Sequence, residues 1–68
     1  MPFIRKAIDE LLEHTGLTQR QLANELDVHQ STIYRWLYTE YNPTARHFDA
    51  LYKVARKYNL EVEFYEKP

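Results

Sequence analysis

The chain has 68 residues, a formal net charge of −1 at pH 7, and a hydrophobic content of 44%. This length allows one small domain with one core, and the hydrophobic content predicts a folded chain rather than a disordered one. The chain has no cysteine, which excludes a disulfide framework and a thiolate metal site. No apolar run approaches the ~20 residues that a membrane span needs, and we expect no signal peptide and a cytoplasmic protein without a membrane partner.

A first helix is predicted over residues 2–14. Apolar residues recur there at helical spacing and form one stripe: Ile4, Ala7, Ile8, Leu11 and Leu12. Pro2 suits the start of a helix. Gly16 is the only glycine and follows the helix where a left-handed C-terminal cap is needed.

Two short helices are predicted next, over residues 19–26 and 30–38. Thr18 followed by Gln21 is a capping-box pattern at the start of the first. Apolar residues then recur at spacings of three and four in each helix: Leu22, Leu26, Ile33, Trp36 and Leu37. Helices this short must cross closely to be buried, and Ala23 is small enough for the crossing. This pattern is typical of a helix-turn-helix, whose second helix enters the major groove of DNA.

The end of the chain changes period. Thr44 is a good N-cap for a fourth helix over residues 45–58, which Asn59 can end. Leu60, Val62 and Phe64 then alternate with charged residues, which predicts a half-buried strand. We divide the chain into a DNA-binding domain at residues 1–59 and a C-terminal strand and tail at residues 60–68.

This strand predicts a dimer. A lone strand is unstable, and residues 1–59 offer no second one. Its simplest partner is the same strand of another protomer, antiparallel about a two-fold axis. Leu60, Val62 and Phe64 would form the interface. The alternative is a strand folded back on its own domain beside Phe3 and Ile4.

The second helix of the helix-turn-helix should present its outward face to the bases. With Ile33, Trp36 and Leu37 directed into the core, the outward side chains are those of Gln30, Ser31, Tyr34, Arg35 and Tyr38. Glutamine pairs with adenine, arginine with guanine, and serine with either. We predict base contacts from Gln30, Ser31, Tyr34 and Arg35. The alternative is a solvated helix face that touches nothing.

Phosphate contacts are predicted on both sides of this helix. The free N–H groups at the start of the preceding helix attract anions, and Gln19 and Arg20 lie there. The following loop and the next helix add further candidates: Thr39, Tyr41, Asn42 and Arg46. For Arg20 and Arg46, simple solvent exposure is the competing interpretation.

The distribution of charge along the chain supports DNA binding more strongly than the net charge does. Between residues 28 and 58 the basic residues Arg35, Arg46, Lys53, Arg56 and Lys57 outnumber the acids Glu40 and Asp49. A DNA-binding face needs local positive potential rather than a positive total. The three histidines lack metal-like spacing, and no nucleophile–base–acid set is present. We expect no enzyme, no cofactor, no metal and no small-molecule ligand.

The chain resembles the phage Cro and repressor-like helix-turn-helix family over roughly residues 3–60, most specifically in the helix-turn-helix itself. The resemblance rests on the opening Leu17-Thr18-Gln19, on Ala23 at the small-residue position, on Val28, Ile33 and Trp36 at core positions, and on the run of residues 28–33. Two residues depart from the pattern. Asp27 replaces the usual turn glycine, and His29 stands where a serine often caps the recognition helix, so Asp27 or Gln30 is expected to help cap it.

The resemblance implies a mainly α, four-helix repressor-like domain and a Cro-type repressor that binds a palindromic operator in double-stranded DNA as a homodimer. Two alternatives stay open. One is an antitoxin-type or other regulator on the same fold. The other is a protein-interaction module that has lost DNA binding, but the outward face of the recognition helix carries no acid, which favours DNA.

Overall fold

The computed structural model describes residues 3–64 and has four α-helices among them. These are α1 (Phe3–Thr15), α2 (Gln19–Leu26), α3 (Gln30–Tyr38) and α4 (Ala45–Lys57). The four predicted helices are confirmed; α2 and α3 have the predicted bounds, and the described ends of α1 and α4 differ from prediction by one residue. None of these helices is long and apolar enough to cross a membrane.

One apolar core joins all four helices. The side chains that are fully buried come from every helix and from the tail: Ile8, Leu11, Leu22, Ile33, Trp36, Leu37, Leu51 and Phe64. Trp36 is in the core, as its spacing predicted, and its ring lies 5.2 Å from that of His47. Its indole N–H finds no acceptor within the described residues, so packing alone holds it. Burial of apolar surface is therefore the main source of stability in this domain.

Left-handed residues end the helices where the sequence predicted. Gly16 (φ 75°) follows α1 and donates its N–H to Leu12 O at 2.9 Å. Asp27 (φ 56°) ends α2, so aspartate fills the turn position that usually holds glycine. Asn59 (φ 58°) follows α4, and the Leu60 N–H donates to Ala55 O at 2.8 Å. Asparagine and aspartate tolerate this conformation better than most residues.

The crossing of α2 and α3 is set by a capped helix start and a small residue. The Thr18 N–H donates to Gln21 Oε1 at 2.9 Å, and the Gln21 N–H donates to Thr18 Oγ1 at 3.1 Å. These two bonds confirm the predicted capping box. Ala23 is only 2% exposed at the crossing, and its carbonyl accepts the Val28 N–H at 3.0 Å. This hydrogen bond fixes the turn between α2 and α3, and so it also fixes the direction of α3 relative to α2.

The tail packs on its own domain. Phe64 is 0% exposed and meets the Tyr52 ring edge-on, with 5.0 Å between centroids. The Tyr52 hydroxyl accepts the Phe64 N–H at 3.2 Å and donates to Glu63 Oε2 at 2.9 Å. Leu60 and Val62 are half-buried against the same core. The alternation of the sequence therefore predicted which side chains face inward.

The predicted strand itself is not present in the described part of the tail. Residues 60–64 have no regular secondary structure, and residues 65–68 lie outside the described residues. A strand exists only when another strand pairs with it, and the described residues of one protomer provide none. Pairing across a dimer remains a prediction. Phe64 lies in the core of its own protomer, against Tyr52 of α4. Packing on its own domain was the alternative prediction, which placed the tail beside Phe3 and Ile4.

An ion pair connects α4 to α2. Lys57 Nζ lies 3.0 Å from Glu25 Oε1 and donates hydrogen bonds to both carboxylate oxygens. The hydrogen bond to Glu25, with its negative charge, raises the pKa of Lys57 above the ordinary value of 10.5. The stabilising contribution of the ion pair is therefore present at neutral pH, and it is lost as the pH rises through the raised pKa of Lys57.

Candidate nucleic-acid interface

Helix α3 has a buried face and an open face. Ile33, Trp36 and Leu37 are at most 2% exposed. The four residues predicted to contact bases are all exposed: Gln30, Ser31, Tyr34 and Arg35. The core therefore fixes the rotation of α3 about its axis, and this rotation presents the predicted side chains together on one surface.

His29 caps the start of α3. Its Nδ1 accepts the Ser31 N–H at 3.2 Å and lies 2.9 Å from Ser31 Oγ. The sequence placed the cap on Asp27 or Gln30, and that expectation was wrong. Asp27 is already in a left-handed conformation at the end of α2. A ring nitrogen on a short side chain can accept the N–H as a serine oxygen would.

This cap also brings the Ser31 hydroxyl against the His29 ring. Ser31 Oγ lies 2.9 Å from the same Nδ1 that accepts the Ser31 N–H. The contact holds the hydroxyl at the exposed start of α3.

The end of α3 is tied to the loop that follows. The Thr39 hydroxyl donates to Arg35 O at 2.6 Å, and its oxygen accepts the Tyr41 N–H at 3.1 Å. The proton that Thr39 would donate to a phosphate is thus used within the chain. Tyr41 and Asn42 are exposed in the same loop and are oriented by this anchor.

The start of α2 adjoins the start of α3. Arg20 is exposed and lines one shallow depression together with Asn24, His29 and Gln30. The structure thus brings a predicted phosphate contact next to a predicted base contact. Gln19 is half-buried. Arg46 is exposed in the first turn of α4, beyond the loop of residues 39–44.

Residues 8–65 match the helix-turn-helix protein family. The chain belongs to this family. The match covers most of the chain and includes both helices whose geometry is described above. It indicates a DNA-binding helix-turn-helix regulator. No curated protein and no solved structure gives a match to the chain.

In this helix-turn-helix domain Tyr34, a predicted base contact, pairs with Tyr38, which the sequence did not predict as part of the site. The rings of Tyr34 and Tyr38 lie 4.7 Å apart and are 56% and 53% exposed. Arg5, from α1, places its Cζ 5.2 Å from the centre of the Tyr38 ring. The spacing of four residues between the tyrosines could have predicted the pair. The contribution of Arg5 could not be predicted, because it depends on how α1 packs beside α3.

Acids are absent from the outward face of α3 in the helix-turn-helix domain. On α1, by contrast, Asp9, Glu10 and Glu13 share a surface depression with Lys6. Within the described residues no cluster of histidine, aspartate and glutamate has the arrangement of a metal site. What the open face of α3 offers is hydrogen-bonding side chains, one arginine and exposed rings, a set suited to base edges and phosphates.

Proposed function

We propose that this protein is a Cro-type transcriptional repressor that binds a palindromic operator in double-stranded DNA as a homodimer. The observation that carries the proposal is the open face of α3. It presents Gln30, Ser31, Tyr34 and Arg35 without an acid, on a helix whose rotation the core fixes. Repression follows from occupancy, since a protein seated on a promoter excludes polymerase. The resemblance to Cro-type domains supports the repressor part.

Each outward side chain of α3 has a chemical preference. Arg35 suits guanine O6 and N7, and Gln30 suits adenine N6 and N7. The Ser31 hydroxyl can donate or accept and so suits either kind of group on a base edge. Tyr34, whose ring is exposed, would contact a thymine methyl or a phosphate.

Phosphate contacts hold the helix in register without reading sequence. The first N–H groups of α2 have no partner within the helix, and Gln19 and Arg20 are at this end. Arg20 beside Gln30 would hold the backbone next to the bases that α3 reads. Tyr41, Asn42 and Arg46 would contact the backbone on the other side of α3. Thr39 would act through the loop that it anchors.

The dimer is proposed from the tail. Within the described residues, positions 61 and 62 make no backbone-to-backbone hydrogen bond, so their N–H and C=O groups could pair with the same segment of a second protomer. Leu60 and Val62 are half-buried and would gain further burial. Phe64 would act by fixing the segment to its own core. Two-fold symmetry would place the two α3 helices ~34 Å apart.

Selection of bound sites from random duplex DNA tests the proposal. We expect an enriched palindrome with half-sites about one helical turn apart. The matched control is Arg35→Ala, which should lose the preference at one base pair in each half-site. Enrichment of a single asymmetric half-site would refute the dimer. Failure to enrich any duplex at low salt would refute DNA binding by this domain.

A further inference from the structure

We propose that Arg5 and Tyr38 form a phosphate-binding extension at the C-terminal end of α3, in which Tyr38 holds the Arg5 guanidinium against the DNA backbone. This inference rests on the proposed function, because it assumes that α3 lies in the major groove. It adds two residues, one of them from α1, to the surface that the sequence predicted.

The Arg5 guanidinium lies over the Tyr38 ring and pairs with no acid among the described residues. Arg5 Cζ lies 5.2 Å from the centre of the Tyr38 ring, and this ring packs against that of Tyr34 at 4.7 Å between centroids, with the two planes tilted by 48°. Arg5 is half-buried and has no ion pair within residues 3–64. A guanidinium that stacks on a ring keeps its N–H groups available to other acceptors. The ring therefore orients Arg5 without consuming its donors.

The position along α3 favours the DNA backbone as the partner. Tyr38 is seven residues after Ser31 on the outward face, which is ~10 Å along a helix. The major groove is about 12 Å wide, and the first residues of a recognition helix are the ones that contact base edges. Tyr38 would therefore lie at the wall of the groove, where the phosphates are. Arginine binds phosphate through two parallel hydrogen bonds.

Lys6 provides a matched control. It is the next residue on α1, it is exposed, and it carries the same charge. It differs in its surroundings, because it lines a depression with Asp9, Glu10 and Glu13. Any effect of net charge alone would appear equally in Lys6→Ala and Arg5→Ala. An effect confined to Arg5 would come from its position.

The experiment measures affinity against salt concentration by fluorescence anisotropy, on the selected operator and on a mixed-sequence duplex. The proteins are wild type, Arg5→Ala, Lys6→Ala, Tyr38→Ala and Tyr38→Phe, each checked for helix content by circular dichroism. We expect Arg5→Ala to reduce the slope of log K against log salt by about 0.9 for each bound protomer, with the same fold-loss on both duplexes. Lys6→Ala should match wild type. Tyr38→Phe keeps the ring and should lose less affinity than Tyr38→Ala. Tyr38→Ala should resemble Arg5→Ala.

Three results would overturn parts of the reasoning. Equal slopes for Arg5→Ala and Lys6→Ala, with wild type binding normally, would overturn the phosphate contact. A wild-type slope for Tyr38→Ala beside a reduced slope for Arg5→Ala would overturn the role of the ring. If wild type binds neither duplex, the proposed function fails instead. Should Arg5→Ala lose helix content, Arg5→Gln keeps the length of the side chain without its charge and should show the same reduced slope.

Discussion

Replacing Phe64 by alanine should destabilise a single protomer, whether or not it dimerises. Phe64 is 0% exposed and meets the Tyr52 ring at 5.0 Å. A Phe→Ala change in a core costs about 3–5 kcal/mol. A domain of 68 residues has a total stability of about 3–10 kcal/mol, so the variant should lose a large part of it. The melting temperature should fall by at least ~12 °C.

Urea denaturation followed by circular dichroism, at several protein concentrations, measures this loss. If Phe64 packs within its own protomer, the difference from wild type is already complete at the lowest concentration. If Phe64 acted mainly across a dimer, the difference would shrink on dilution, because the wild type would lose its partner. Tyr52→Phe keeps the ring and removes the hydroxyl that bonds Phe64 N–H and Glu63, and should cost about 0.5–1.5 kcal/mol. An unchanged midpoint for Phe64→Ala would refute the packed tail.

Three further predictions concern α2 and α3. Arg35→Ala should weaken binding to the selected operator by about 1–3 kcal/mol; in an anisotropy titration, an equal loss on mixed-sequence DNA would show a phosphate contact instead. Ala23→Glu should unfold the domain, because its carboxylate would enter the α2–α3 crossing, whereas Gln30→Ala should keep the wild-type melting temperature and lose specific binding. A stable Ala23→Glu variant would contradict the crossing. His29→Ala should cost about 0.5–2 kcal/mol of stability and His29→Ser much less; equal thermal melts for both variants and wild type would exclude the cap.

Local signals in the sequence predicted the helices and their ends. The capping box at Thr18 and Gln21, the left-handed Gly16 and the inward Ile33 and Trp36 all depend on residues a few positions apart. Interactions of this range are set by backbone geometry and by the helical period. This is why the open face of α3 could be assigned before its structure was known.

Features that depend on distant packing were not predicted. The contact between Arg5 and Tyr38 and the packing of Phe64 on Tyr52 join residues that are separated in sequence. The alternation of apolar and charged residues in the tail predicted which side chains are buried. The same alternation fits a strand and an irregular segment that one buried aromatic side chain holds against the core, so it could not distinguish the two. The cap by His29 was missed for a different reason, since imidazole is not among the preferred N-cap side chains.

The net charge of −1 does not show where the charged side chains lie or which of them are paired. Glu25 is paired with Lys57, and three acids of α1 share a surface depression with Lys6. At physiological ionic strength charges are screened over ~8 Å, and the domain measures 27 × 25 × 21 Å. An acid on another face therefore subtracts little from the potential at α3. In the proposed complex a phosphate would meet Arg20 beside the start of α3, Arg35 on its outward face, or Arg5 at its end, so we expect the arrangement of these side chains, and not the net charge, to govern affinity for DNA.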